Sequence, residues 1–422
     1  MTLTKKIIIF MIAGAALGLI LNITELNQNV QVDTYLTGGL FHVIGQLFIK
    51  ALKMMVVPLV FVSLFCGTTA LREPAMLGSL GGRTLGFYLL TTAIALVVAL
   101  SFAMLIGVGV GSEIPTSIAY QAKADKPLMD VVLDIIPSNP IMAMAEGNML
   151  AVIVFAILLG LSATQAGKAG DKVIEFFQAF NEVVMKLVMM IMNFAPYAVF
   201  AILAKVFAQL GIDAIQTLAG YFFTVLGLLI FHALVVYPII LKLFSGLNPL
   251  TFIKKMESAV SFAFGTSSSN ATIPVTLRTV TERLGVNKSV ASFTIPFGAT
   301  INMDGTAIMQ GVATVFIANA YGVDLTTTQL LTVVLMATMA SVGSAGVPSA
   351  GLVMLQGVLL QVGLPIEGIG IILGIDRLLD MTRTAVNITG DAAVTCIVAK
   401  SQGQFDESIF NDPHAGEIKS TS

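Results

Sequence analysis

Apolar runs of bilayer-crossing length recur along the chain, and the places where they break are as informative as their lengths. A helix needs about 20 predominantly apolar residues to span the hydrocarbon core. Residues 7–24, 40–70, 84–110, 141–165, 174–206 and 215–244 meet that requirement and predict six spans. The second and fifth are long enough to be strongly tilted. Two more spans are expected around 290–321 and 366–400. Between the third and fourth, residues 111–138 carry Glu113, Lys123, Asp125, Lys126 and Pro137 and read as a polar loop. Lys5-Lys6 ahead of Ile7 to Leu21 has the outline of a signal peptide, but no small-residue cleavage site precedes a soluble domain. It is taken as the first span.

Two apolar stretches do not read as spans. Residues 252–284 break at Gly265-Thr266-Ser267-Ser268-Ser269-Asn270 and have basic residues at both ends (Lys254, Lys255; Arg278, Arg283, Lys288). Residues 328–362 break at Ser341 to Ser349, and neither flank is basic. A helix that dips into the membrane and returns leaves unpaired backbone groups at its tip. Such groups are tolerated at depth only inside protein or against a wet cavity. Both stretches therefore predict re-entrant hairpins, entering from opposite faces with tips near the midplane, an inverted-repeat pattern of secondary transporters. The span between them is interrupted as well, at Gly298 to Thr306, where Asn302, Asp304 and two threonines stand in an apolar run. Unwound carbonyls beside a carboxylate are oxygen ligands suited to a hard cation such as Na⁺.

The last span carries the densest polar chemistry. Asp376, Asp380, Arg383, Asn387 and Asp391 are spaced four, three, four and four apart. At about 100° per residue they share one helical face, with Thr384 at its edge. A charge at the membrane centre costs at least about 2.5–3.5 kcal/mol on insertion scales, so this stripe should line a polar cavity and not meet lipid.

Composition agrees with the pattern. Of 422 residues 56% are hydrophobic and 11% charged, with a mean hydropathy of +0.92, whereas soluble proteins carry about 25% charged residues. The fold class is an all-α polytopic membrane protein. The net charge of −2 is uninformative, and no basic patch suggests nucleic acid. Cys66 and Cys396 lie far apart in apolar surroundings and read as small buried hydrophobes, and three scattered histidines make no metal cluster. Lysines and arginines before span 1 and between spans 2 and 3, 4 and 5, and after span 6 fall on one side, which places both termini in the cytoplasm. The polar tail 401–422 is expected to be disordered.

The serine-rich tip Ser267-Ser268-Ser269, the Asn302-Met303-Asp304-Gly305-Thr306 break, the second tip at Gly343–Pro348, and Asp380 to Asp391 with Arg383, Thr384 and Asn387 occur in this order. Together they closely resemble the glutamate transporter family of dicarboxylate/amino acid:cation symporters, from excitatory amino acid transporters to archaeal aspartate transporters. The resemblance covers nearly the whole chain, and its short loops look prokaryotic. It implies eight transmembrane helices plus two re-entrant hairpins in a homotrimer of the cell inner membrane. It also implies an elevator: residues 1–72 and 139–208 would form a scaffold, and residues 83–110 and 213–400 a moving transport domain gated by the outer hairpin. The implied cargo is L-aspartate or L-glutamate with Na⁺ and no organic cofactor. A proton-coupled or C4-dicarboxylate symporter is the alternative.

By the same resemblance, Arg383 would grip the substrate's side-chain carboxylate and Asp380 its amino group. Asn387 and Thr384 would bond the α-carboxyl, with Ser268, Ser269, Thr306, Val347 and Gly351 completing the pocket. One Na⁺ would sit on Asp391 with carbonyls of Gly298, Asn302 and Asn387. A second would use Asp304, Asn302, Thr91, Thr92 and the Tyr88 carbonyl, and a third Ser341, Val342, Ser344 and Thr300. Taken without the family, Thr91 and Thr92 would be expected only to bond their own helix's carbonyls. The chain departs from acidic-substrate members in having Ser267 and Met381 where a second arginine commonly stands. Arg377, in place of an apolar or aromatic residue, is expected to pair with Asp376 or Asp380 or to face the exit path.

Other classes fit less well. An intramembrane protease needs a serine with a positioned base or a facing aspartate pair, and either leaves Arg383 unexplained. An anion channel needs no Asp–Arg pair spaced like the two ends of an amino acid. A C4-dicarboxylate would leave Asp380 unpaired, and a neutral amino acid would leave Arg383 unpaired.

Overall fold

The computed structural model describes residues 3–69, 79–111, 133, 136–341, 346 and 349–416, and these are helical throughout save for connections. Helix α1 is Leu3–Ile23 and α2 is the continuous apolar run Val30–Thr69, ten residues longer at its start than the pattern indicates. Helix α3 is Ser79–Ile106. The short α4, Pro140–Glu146, and α5, Met149–Gln165, follow. Asn139 caps α4 by accepting from Ile141 N and Met142 N, Pro140 presets its first turn, and left-handed Gly147 ends it.

The expected single span at 174–206 is instead two helices, α6 (Gly167–Met192) and α7 (Ala195–Leu210), bent by 44° at Asn193-Phe194. Pro196, in the first turn of α7, has no N–H to continue the ladder of α6. Lys168 and Lys172, expected in a loop, stand in the first turns of α6. Helix α8 comprises Asp213–Phe231, a π-helical stretch His232–Val236, and Tyr237–Ser245.

The two interrupted stretches become helix pairs. Helix α9 (Pro249–Thr266) ends where Ser267 adopts φ 52°, and α10 (Ser269–Arg278) starts from the Ser268 cap. Helix α13 (Thr327–Ser341) is followed by α14 (Ala350–Val362), which opens at Ser349, another non-glycine at positive φ (64°). Between the pairs, α11 (Lys288–Ile301) and α12 (Asp304–Ala320) are separated by two residues, Asn302 and Met303. The break therefore lies inside the expected segment, but Gly298 and Gly305 are themselves helical. They permit close approach: a Cβ on Gly305 would stand 2.7 Å from Arg383 O, and one on Gly298 would overlap the Asp391 carboxylate. Helix α15 is Ile369–Ser401.

Four helices are long and apolar enough to cross a membrane among the described residues, or five if α6 and α7 count as one span. With its apolar helices and helical fold the chain is a multi-pass membrane protein. Helix α15 fails that test because of its own charges, yet from Ile369 to Ala399 it is almost entirely buried. Every residue of α12 except Asn319 is buried too, as expected of helices enclosed on all sides by protein. Helix α15 packs on α3, α7, α8, α9, α10, α11 and α12, so its polar face looks into protein. On the other side, Gly14 and Gly18 let α1 lie against α7; a Cβ on either would stand 2.5 Å from a carbonyl of Phe200 or Ala204.

The tail does not follow its expectation of disorder. It folds through Gly416, with α16 at Glu407–Asn411. Phe410 is fully buried, Asn287 N donates to Gln404 O, and Asp406 N donates to Gly285 O. Buried Lys255 ties this strap down, its Nζ donating to Ile409 O and Arg283 O at 2.7 Å each.

Candidate functional site

The α15 stripe assembles into one ion network. Arg383 donates through Nη1 to Asp376 Oδ1 (2.6 Å) and through Nη2 to Asp376 Oδ2 (3.2 Å) and Asp380 Oδ1 (2.8 Å). Arg377 Nη1 donates to Asp380 Oδ2 at 3.0 Å, and so does Ser349 N from the start of α14, at 3.1 Å. All four charged residues are buried. Arg377 is thus paired as expected, while Asp376, outside the expected binding set, holds the fork of Arg383. With Asp380 shared between the two guanidiniums and Asp376 on Arg383, two charges of each sign cancel inside the protein, and the desolvation each would suffer alone is offset.

The network forms one wall of a cavity lined also by Ser267, Ser269, Met303, Thr306, Gly351, Thr384 and Asn387. Its free volume of about 10 Å³ holds about one water molecule. Two donors on these lining residues, Arg383 Nε and the Ser267 hydroxyl, are buried without a partner among the described residues. Asn387 is oriented by Gly305 N, which donates to its Oδ1 at 2.7 Å and leaves Nδ2 on the soft thioether of Met303. Thr384 bonds back to Asp380 O.

Some expected contacts lie elsewhere. The Ser268 hydroxyl caps Ala271 N and donates to Gly346 O at 2.7 Å, so Ser267 takes the lining position beside Ser269. Asn270 N also donates to Gly346 O, so the turn between α9 and α10 meets Gly346, which lies between α13 and α14. Val347, Val342 and Ser344 fall outside the described residues. Ser341 and Thr300 bond to carbonyls of their own helices.

Beyond the cavity stand two more buried carboxylates, Asp391 and Asp304, and Asn302 bonds to the first of them. Its Nδ2 donates to Asp391 Oδ1 (2.9 Å) and Asn387 O (3.2 Å), while its Oδ1 accepts weakly from Thr91 (3.5 Å). Asp304 opens α12, where the helix dipole favours a negative charge. Its Oδ1 accepts from Thr92 and its Oδ2 from Tyr237 (2.8 Å), with His232 Nε2 3.4 Å away. Thr91 and Thr92 do bond back to Tyr88 O, as isolated threonines would, and Thr92 reaches Asp304 besides. The Tyr88 hydroxyl donates to Thr294 O on the Asp391 side. Tyr237 and His232 are the residues that sequence reasoning missed. The one signal available was a histidine and a tyrosine five apart in an otherwise apolar span.

A broken helix presenting Asp304, a charged stripe on α15 and two helix pairs meeting at Gly346 form one buried centre. The sequence profile of the sodium:dicarboxylate symporter family matches residues 3–401. The chain belongs to that family. Its relatives include the proton/sodium-glutamate symport protein of Geobacillus stearothermophilus, 34% identical over 388 residues and covering 90% of each chain. The proton/glutamate-aspartate symporter of Escherichia coli (strain K12) is 32% identical over 96% of this chain and 94% of its own. The C4-dicarboxylate transport protein of Bacillus subtilis (strain 168) is also 32% identical, over 86% and 88%. Within the sodium:dicarboxylate symporters, then, chains of comparable distance carry names with different substrates, and the side chains around the cavity must decide between them.

Proposed function

We propose that this symporter imports L-aspartate or L-glutamate together with Na⁺, and that Asp380 and Arg383 address the two ends of the substrate. One observation carries the reading: the buried Arg383, which lines the same cavity as Asp380, keeps an Nε–H with no partner among the described residues. A guanidinium is suited to a carboxylate by its planar set of donors, and an ammonium is suited to Asp380. Asn387 Nδ2, now on a sulfur, would turn to the stronger α-carboxylate acceptor. The names of the glutamate and glutamate-aspartate relatives support the same substrate class.

The cations are cargo, and the donor sets fit Na⁺. Each of Asp391 and Asp304 is one carboxylate among neutral oxygens: Asp391 with carbonyls of Gly298, Asn302 and Asn387, Asp304 with Thr91, Thr92 and the Tyr88 carbonyl. Hard oxygen ligands of this kind suit an alkali cation. Ser341 and Thr300 would belong to a third site at the outer tip.

The transporting unit in this proposal is a homotrimer with eight spans and two re-entrant hairpins per chain. The spans missing from the length-and-hydropathy test are α5, the broken pair α11–α12 and the charged α15. Helices α1, α2 and α5–α7 would form the scaffold. Helices α3 and α8–α15 would form the moving body, with α13–α14 as its outer gate. Coupling follows from reciprocity: cations that order Asn302 complete the pocket, so cation and substrate affinities rise together.

The test is uptake by the purified protein in liposomes under Na⁺ or H⁺ gradients, comparing wild type with Arg383→Cys. Wild type should accumulate labelled aspartate, with Na⁺ the effective gradient. The variant should lose acidic-substrate binding, because truncating one side of a desolvated charge pair typically costs several kcal/mol. Unchanged aspartate affinity in the variant would sink the assignment.

A further inference from the structure

We infer that Arg377 is a specificity-determining residue of this site, shifting its preference from substrates with an ammonium group toward dicarboxylates without one. The inference rests on the substrate pocket proposed above. On the sequence alone, a dicarboxylate lacking an amino group would strand the charge of Asp380. In the structure Asp380 is not stranded. Its Oδ2 accepts from Arg377 Nη1 at 3.0 Å and from Ser349 N at 3.1 Å, and its Oδ1 accepts from Arg383 at 2.8 Å.

Both oxygens are therefore engaged by the protein's own donors, and two of these are full positive charges. Asp376 and Asp380 carry two negative charges, Arg377 and Arg383 two positive ones, and all four residues are buried. Without Arg377 the cluster would have a net charge of −1, which an incoming ammonium would neutralise. With it, the cluster is neutral before any substrate arrives.

The geometry sets the sign of the effect. A substrate ammonium on Asp380 must share that carboxylate with Arg377. Each cation lies about 3 Å from the same group, so the two stand within about 6 Å of each other. Like charges at that separation in a desolvated site oppose each other by more than they would in water. A ligand such as succinate has no ammonium to be opposed, and both its carboxylates are drawn by the local positive charge. Arg377 does not line the cavity. It acts through Asp380 and is a positioning residue in this sense.

The experiment measures dissociation constants of L-aspartate and succinate by calorimetry at saturating Na⁺, for wild type, Arg377→Ala, Arg377→Gln and Arg377→Lys. The quantity of interest is their ratio. Removing the charge (Ala, Gln) should move the ratio at least about tenfold toward aspartate, or about 1.4 kcal/mol. Lys retains the charge and should stay near wild type. A general loosening of the fold would weaken both ligands together and leave the ratio in place. The Gln variant keeps a donor for Asp380 and serves if Arg377→Ala does not fold. A ratio unchanged in both neutral variants, or moved equally by Lys, overturns the role of Arg377 while the aspartate site stands. A wild type that binds neither ligand overturns the pocket and this inference with it.

Discussion

Asp304 is held by neutral donors on two other helices: Thr92 of α3 on one oxygen, Tyr237 of α8 on the other. A hydrogen bond to a charged group contributes about 1.5–3 kcal/mol, so Tyr237 has a measurable share in orienting this carboxylate. Tyr237→Phe should raise the Na⁺ concentration for half-maximal substrate binding by about tenfold, with substrate affinity at saturating Na⁺ within about twofold of wild type. A Na⁺ titration followed by calorimetry decides it; an unmoved midpoint means that Asp304 is held without the tyrosine. At this scale the sequence was most legible where charge broke an apolar run. Asp304, Asp380, Arg383 and Asp391 stood out as charges inside apolar runs, which a bilayer penalises, and the family resemblance supplied their roles. Tyr237 and His232 could not, since aromatic residues are ordinary in a span and only the tertiary fold brings these two to Asp304. The pairing of Arg383 with Asp376 was also hidden, because helical spacing shows a shared face but not which side chain closes on which.

Among elements, the strap after α15 is the clearest departure from expectation. Its few apolar residues, Phe405, Ile409 and Phe410, are too sparse for a core of their own, and the reading of disorder followed from that. Phe410 is buried and Phe405 and Ile409 half-buried beside α9 and the π-helical turn Thr279–Arg283, where Lys255 supplies the donor for Ile409 O and Arg283 O. Asp406 starts α16 by accepting from Ser408, whose hydroxyl and amide hold the Asp406 carboxyl below its ordinary value. This cap is present above the ordinary carboxylate range and is lost as pH falls through the lowered value. Lys255→Met leaves two carbonyls without their donor, each worth about 1–3 kcal/mol when buried. We expect a lower melting temperature and faster proteolysis after residue 401; wild-type protection there would show that the strap holds without the lysine. The bend at Asn193-Phe194 was more readable, since Pro196 marks it, but the apolar run across it concealed the break.

For the whole molecule, the elevator proposal requires α14 to slide past α2. A Cβ built on Gly357 lies 3.7 Å from Val56 Cγ1, so Val56→Cys with Gly357→Cys, in a chain whose free Cys66 and Cys396 are replaced, can be bridged by mercury. Bridging should stop uptake into liposomes while Na⁺-dependent substrate binding persists. Uptake that continues after complete cross-linking would rule out this sliding surface. Among the described residues the order of apolar helices and interruptions was legible, save for the bend at Asn193-Phe194, because membrane burial imposes a length and a polarity on each segment. Which helices move together is a property of packing and left no mark in the pattern. The neutral cluster on α15 also has an electrical consequence. Asp376, Arg377, Asp380 and Arg383 cancel, which leaves Asp304 and Asp391 as the carboxylates of the buried centre outside that balance. Neither pairs with a lysine or arginine among the described residues. One elementary charge crossing 100 mV corresponds to about 2.3 kcal/mol. Under the elevator proposal, each of these carboxylates that returned ionised and without its cation would add one negative charge to the moving body, and an inside-negative membrane would favour its outward movement by up to about 2.3 kcal/mol per 100 mV. In that proposal the resting voltage of the cell would assist the return of the carrier.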